Sequence, residues 1–360
     1  MIYLDYNATT PLTPNAKQAM IEAFECLGNP SSVHKHGREV RKLLENAREK
    51  MALFFNLPAR NVTFTSGATE ANNLMVKGFK GPVLVSTVEH DSILSACDSS
   101  PTIPVDSEGV IQLDKLDEIL KKSPEKTLVC IIAVNNETGV VQPISEILTI
   151  CQKHGAHLHV DAAQAVGKTV LDWKDIPSFT ISAHKFGGPK GIGALIINDP
   201  IDLSSLISGG GQEKGLRSGT ENIIGAVGMA EAINTEFKDL KYLQTKLEEG
   251  ILSVCPQATI FGRKSKRSEN TTAVAMPSVA SEVQLMHFDL NNISISSGAA
   301  CSSGKVKTSH VLKAMGVPES LAKCAIRIST GWNTTEHEID QCLAVWQDLF
   351  YSQQLKQNVG

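Results

Sequence analysis

The chain has 360 residues, 42% of them hydrophobic and 20% charged, which is enough for a sizeable core and for two domains or one large one with an appendage. A formal net charge of -4, with no long lysine- or arginine-rich run, gives no electrostatic footing to a nucleic-acid or membrane-surface role. No apolar run approaches the roughly 18 residues of a membrane span. Met1 leads into IYLDYNATTP without the basic start and apolar core of an export signal, so a cytoplasmic protein is expected.

In chain order, IYLDYNATTPLTP is irregular and a helix is expected from Asn15 to about Cys26. NPSSVHKHG reads as loop, and Gly37 to about Phe55 as an amphipathic helix with Val40, Leu43, Leu44, Ala47 and Met51 on one face. Strands and helices then alternate. NVTFTS is a strand and GATEANNLMVKGF a turn into a helix; VLVSTVEH is a strand with a helix from Asp91; TLVCIIAV is a strand with the helix ISEILTICQKH behind it. HLHVDAA, FTISAHK and GALIIN supply three more strands. Continuous apolar strands separated by helices predict an α/β fold with a mostly parallel sheet covered on both faces. One long helical pattern from Ile224 to Val254 leads to ATIFG, NTTAVAMP, a helix before Met315, AIRIST and a last helix from Thr335 to about Leu355. The expected division is a large domain over 15–240 and a smaller α+β domain made of 1–14 and 241–360.

The eight cysteines contain no C-x-x-C pair, so neither a disulfide framework nor a zinc knuckle is indicated. Most sit among apolar neighbours, as in LVCIIAV and ILTICQK, and read as core thiols. Cys301 differs, lying in the glycine- and serine-rich stretch SISSGAACSSGKVKTSH. His154, His157 and His159 invite a metal site, but no carboxylate or cysteine trio completes one, and no metal is expected.

Polar residues gather at successive strand ends, which is where ligands sit on an open parallel sheet. Gly67-Ala68-Thr69 opens a helix with free backbone N–H groups and a hydroxyl, fit either for a plain cap or for a phosphate. His90, Asn135, Asp161 and Gln164 end three further strands. FTISAHKFGGPKG then presents Ser182, His184 and Lys185 just past a buried strand. A lysine there either points into water or is held in a cleft for imine chemistry. No G-x-G-x-x-G or G-x-x-x-x-G-K-[ST] is present, so dinucleotide and P-loop readings lose their main feature. A pyridine cofactor with an aldehyde and a phosphate would use this set. It needs a lysine, an acid for the ring nitrogen, a flat partner, and donors for a phenolic oxygen and a phosphate. Lys185, Asp161, His90, Gln164 and the group Ala68, Thr69, Ser182 and His184 fill those places.

The ordered motifs LDYNATTP, GNPSSVHKHG, FTSGATEANN, VEHDSI, VNNETGVVQPI, HVDAAQAVGK, SAHKFGGPKGIGAL, GGGQEKGLRSGTEN, SSGAACSS and IRIST span nearly the whole chain. Together they resemble the pyridoxal-phosphate-dependent cysteine desulfurases of the NifS/IscS type, class-V aminotransferases of fold type I. SSGAAC resembles the first of that family's two groups. The resemblance implies that Lys185 binds the aldehyde of pyridoxal 5'-phosphate and then moves the Cα proton of L-cysteine. It places Asp161 at the ring nitrogen, His90 on the ring face and in proton transfer, and Gln164 at the phenolic oxygen. Asn135 would lie beside that oxygen and the substrate carboxylate, and Ala68, Thr69, Ser182 and His184 at the phosphate.

By the same resemblance Arg327 clamps the substrate carboxylate, and Thr220 reaches the phosphate of the opposite subunit, implying a homodimer. Cys301 takes the sulfur as a persulfide and leaves L-alanine. The persulfide then passes to an acceptor protein such as an iron–sulfur scaffold, with tRNA thiolation as another route. Gly331-Trp332-Asn333 departs from relatives that carry an arginine near that position, and no substrate role is assigned there. The rival readings are an aminotransferase or selenocysteine lyase on the same fold, and a non-catalytic sulfur-relay or scaffold subunit.

Overall fold

The computed structural model describes residues 1–97, 100–123, 126–297 and 308–358. Cys301 lies outside the described residues. The chain opens with β1 (Ile2–Tyr3), α1 (Pro14–Phe24) and α2 (Lys35–Phe54). Thr13 starts α1 by accepting the Ala16 N–H, with Pro14 at the first helical position, where a missing N–H costs nothing. α2 buries Val40, Leu44, Ala47 and Met51, the face its periodicity predicts.

The alternating segment follows as β2 (Val62–Thr65), α3 (Ala68–Gly78), β3 (Val83–Ser86), α4 (Asp91–Leu94), β4 (Thr102–Ile103), α5 (Leu113–Lys122), β5 (Leu128–Ile132), α6 (Ile144–Lys153), β6 (His157–Asp161), β7 (Ser178–Ser182) and β8 (Gly193–Ile197). The seven strands form one sheet in the order β2-β8-β7-β6-β5-β3-β4. β8 runs antiparallel to both its neighbours and every other pairing is parallel. β5 and β7 are buried at every position, which is why their apolar runs are continuous rather than alternating. The helix expected from Asp91 is a single turn.

The helical pattern from Ile224 to Val254 is two helices, α7 (Ile223–Ala232) and α8 (Leu240–Val254). α7 is apolar and largely buried, while the polar segment behind it turns the chain, with Asp239 in the left-handed region that aspartate tolerates. The remaining elements are β9 (Thr259–Ile260), β10 (Thr271–Ala275), α9 (Ser281–Leu290), β11 (Ile293–Ser294), β12 (Ser296–Ser297), α10 (His310–Ala314), α11 (Glu319–Ala322), β13 (Ala325–Ser329) and α12 (Glu336–Asn358). A four-stranded antiparallel sheet runs β12-β13-β10-β9, and β1 pairs in parallel with β11.

One buried cluster fills the space around the large sheet, and a second joins Leu4 to Leu247, Ile251, Phe288, Ile339 and Trp346. The N-terminal segment thus packs with the C-terminal third and passes between the two sheets. Among the described residues no helix is long and apolar enough to cross a membrane.

Candidate active site

A cavity of about 650 Å³ opens where β2, β5, β6 and β7 end and β13 of the small sheet faces them. Ala68, Thr69, His90, Gln164, Lys185 and Arg327 are among its walls. A larger groove of about 1030 Å³ runs beside α6 and holds none of these groups.

Lys185 follows β7 in a short 3-10 turn, where its Nζ donates to Asn7 O at 2.7 Å and Ala8 O at 3.0 Å. Burial, and after it the Arg327 cation, bring its amine down to about 8, against the opposing pull of Asp5 and Asp161. Asp161 ends β6, buried, and accepts from Asn72 Nδ2 at 2.8 Å and from the Ala163 N–H at 3.0 Å. Asn72 sits on the buried face of α3 and also donates to Ser92 Oγ at 2.9 Å. The Ser92 backbone N–H donates to His90 Nδ1 at 3.1 Å, which leaves the ring proton on Nε2. Behind Asn72, His159 is pushed down to about 3 by burial and by His157, so it serves as a neutral donor to the Asn72 carbonyl at 3.3 Å. One asparagine therefore holds the carboxylate and, through Ser92, the imidazole.

The N-terminus of α3 has Gly67 as its cap residue, which offers no side-chain hydrogen bond, so the first backbone N–H groups face the cavity wall formed by Ala68 and Thr69. Ser182 and His184 lie across from it. Burial first, then Lys185, Lys168 and Lys190, lower His184 to about 4, and its Nδ1 is 3.2 Å from Thr9 Oγ1. Glu70 in the first turn of α3 also lines the cavity, its carboxylate accepting from the Ser66 N–H and from Arg217.

Arg327 is central in the small sheet, opposite Ala273 and Ser296. Its Nη1 donates to Asn136 O at 2.9 Å and its Nη2 to Asp5 Oδ1 at 2.7 Å. Its Nε is buried with no partner, a donor left unmet on a side chain that lines the cavity.

One residue expected at this cavity is not brought to it. Asn135 spends its side chain on its own turn: Oδ1 accepts the backbone N–H groups of Glu137 and Thr138 and the Thr138 hydroxyl, and Nδ2 donates to Val88 O. The neighbouring Asn136 lines the wall instead. Thr220 is exposed and away from the cavity of its own chain.

Other residues at the site were not singled out from the sequence. Asp5, Asn7 and Ala8 enter from the irregular N-terminal segment, and Asn72, Ser92 and Lys168 support the walls. A signal for Asn72 was available, since it shares a helix with buried Ala71, Leu74 and Met75 and a buried amide must find partners. Trp332 donates Nε1 to Pro11 O at 3.2 Å, a packing role. His154 pairs with Asp117 while His157 and His159 share Ser178 Oγ.

A lysine near neutral, a positioned carboxylate, a flat imidazole, free N–H groups at a helix start and a guanidinium on the cavity wall suit a pyridine aldehyde phosphate and an amino acid. This is the residue set of a pyridoxal-phosphate enzyme. The chain belongs to the aminotransferase class-V family, whose model matches residues 2–342. It is 39% identical to a cysteine desulfurase from Cereibacter sphaeroides over 96% of this chain and 94% of that one. It is 38% identical to a cysteine desulfurase IscS from Dictyoglomus turgidum over 96% and 93% of the two chains. Among solved structures it is similar to a NifS-like protein from Rickettsia africae, with a TM-score of 0.90 at 37% identity over 98% of this chain and 99% of that one. It is also similar to SspA in complex with cysteine, with a TM-score of 0.81 at 30% identity over 93% and 100% of the chains.

Proposed function

We propose that this protein is a pyridoxal-phosphate-dependent cysteine desulfurase that converts L-cysteine to L-alanine and carries the sulfur on Cys301 as a persulfide. The reading rests on the convergence of Lys185, Asp161 and Arg327 on one cavity in a chain with full-length cysteine desulfurase relatives.

Lys185 would hold the aldehyde carbon, Asp161 the pyridine nitrogen, His90 the ring face and Gln164 the phenolic oxygen. The N–H groups of Ala68 and Thr69, with Ser182 and His184, would hold the phosphate. When bound, pyridoxal phosphate supplies a sink for the electron pair left behind when a Cα proton is removed. Lys185 takes that proton, with an amine brought into the working range by burial. Arg327, on the cavity wall, binds the substrate carboxylate and orients the Cα–H bond toward Lys185. The Cys301 thiolate attacks the substrate sulfur; a sulfur–sulfur bond forms and the carbon–sulfur bond breaks with its electron pair left on Cβ, which takes a proton, and Lys185 returns the proton it removed to Cα to complete alanine.

We further propose a homodimer in which Thr220 meets the opposite subunit's phosphate, which accords with its exposure on its own chain. The division into 15–240 and 1–14 with 241–360 is retained, supported by the second buried cluster. Delivery of the sulfur to an iron–sulfur scaffold in the cytoplasm is the downstream role, supported by relatives named IscS.

The purified protein is expected to show a visible pyridoxal-phosphate band, lost in Lys185→Ala, and to release sulfide from L-cysteine. Cys301→Ala should keep the band and release no sulfide. Full sulfide release by Cys301→Ala would overturn the desulfurase reading in favour of another reaction on this fold, and a protein that takes up no pyridoxal phosphate would overturn it altogether.

A further inference from the structure

Lys168 is a buried lysine that no step above uses. It lies four residues beyond Gln164 in the turn after β6 and is 5% exposed. Its Nζ is 2.6 Å from Gln164 Oε1 and 3.4 Å from Asn7 Oδ1, both of them amide oxygens. Burial first, and then the Lys185 and Arg327 cations, lower its amine well below the usual lysine range. An amine donates an N–H to an amide oxygen whether charged or neutral, so the contact with Gln164 survives loss of the charge. A lysine in this place is costly to bury, and packing alone is better served by an apolar side chain.

Its position explains the setting of Gln164. The backbone carbonyl of Asn7 can only accept, so the Gln164 group 2.8 Å from it is Nε2. Lys168 donates at the other end, which requires Oε1 there. The two contacts select the same amide orientation. The Asn7 carbonyl is also the acceptor for Lys185, so Gln164 and Lys185 are anchored on one atom.

We propose that Lys168 is a positioning residue for Gln164: by holding Oε1 it keeps an Nε2 proton available to the cavity as the donor to the phenolic oxygen, a role that rests on the cofactor assignment above. Without Lys168 the Asn7 carbonyl alone holds the amide, Oε1 loses its donor, and the turned amide, which offers a lone pair in place of the N–H, gains population.

The test follows the visible absorption of the pyridoxal-phosphate-loaded protein across pH and reads the midpoint of its spectral change. A donor at the phenolic oxygen stabilises the anionic form, so its loss moves the midpoint to higher pH. Gln164→Ala and Lys168→Met are each expected to raise it by about half a unit to one unit. Because Lys168 acts through Gln164, the double variant should shift no further than Gln164→Ala alone. Lys168→Gln, which retains an N–H donor, should lie closer to the wild type. Lys168→Ala is carried in parallel, so that misfolding of one truncation leaves the measurement in place.

A midpoint unmoved by removal of Lys168 would overturn the proposal. So would a double variant whose shift equals the sum of the two single shifts, because that describes a charge or packing effect independent of Gln164. Either outcome, with a normal wild-type band, leaves the cofactor assignment standing. A wild-type chain with no band would remove both.

Discussion

At the scale of single residues, the site depends on side chains whose proton affinities are set by burial. Only the neutral amine of Lys185 adds to an aldehyde, and its affinity lies near 8 rather than the ordinary 10.5. The rate of pyridoxal phosphate incorporation into the apoprotein, followed by absorbance, is therefore expected to rise about tenfold per pH unit below that value and to level off above it. A rate that still climbs at pH 10 would place Lys185 in open solvent. Glu89 gives a second reading. It is fully buried beneath the His90 turn, where burial raises its carboxyl from 4.5 to about 8 despite hydrogen bonds from Ser86 and the Ile132 N–H. Its folded-state affinity exceeds the unfolded one, so its stabilisation is complete below about 4.5 and is lost as pH rises through about 8. Glu89→Gln, which keeps the acceptor oxygen, should gain on the wild type in denaturation midpoint as pH is raised across that window. Asn72→Leu removes the donor shared by Asp161 and Ser92; loss of one hydrogen bond to a charged group predicts a roughly 10- to 100-fold fall in kcat with the fold retained by circular dichroism.

At the scale of elements, the phosphate-binding end of the site depends on close backbone approach. Gly193 begins β8 opposite Ser182 of β7 and Thr65 of β2. A Cβ there would lie 2.6 Å from Ile181 O and 2.7 Å from the Gly67 Cα, both rigid backbone. Gly193→Ala must therefore push the turn that starts α3 away from β7. A cost of ~1–3 kcal/mol in unfolding free energy is expected, together with weaker pyridoxal phosphate retention on dialysis. An unchanged Tm and unchanged retention would show that the turn can yield. The antiparallel placement of β8 makes this contact, because it brings the start of one strand beside the ends of its neighbours.

At the scale of the whole molecule, ties between distant segments hold the site together. Arg48 of α2 donates to both Glu213 oxygens at 2.7 and 2.8 Å, and Glu213 also accepts the Phe64 N–H of β2. This buried pair fixes the segment leading to Thr220. Removing one partner strands the other, so Glu213→Ala is expected to cost ~3–5 kcal/mol in denaturant unfolding, with part recovered when Arg48 is replaced by Met as well. Light scattering should give twice the 38.7 kDa chain mass if Thr220 serves a second subunit. Asp5 and Asn7 tie the N-terminal segment to Arg327 and Lys185, so both sheets share in holding the cavity.

The pattern of continuous apolar strands and intervening helices already determined an α/β sheet, because a strand buried on both faces can carry few polar residues. The chemistry-bearing types at strand ends, Asp161, His90, Gln164 and Lys185, were legible for the same reason: a polar residue ending such a strand stands out. Tertiary structure alone decided what those residues touch. Asn135, a strand-end residue like the others, turns its amide into its own loop, and the break between α7 and α8 was hidden by a helical periodicity that local propensity does not interrupt. The roles of Asp5, Asn7 and Lys168 depend on segments more than a hundred residues apart meeting at Asn7 or at the Arg327 guanidinium. Periodicity reports which face of an element is buried; it carries no record of which distant hydrogen-bond partner satisfies a buried group.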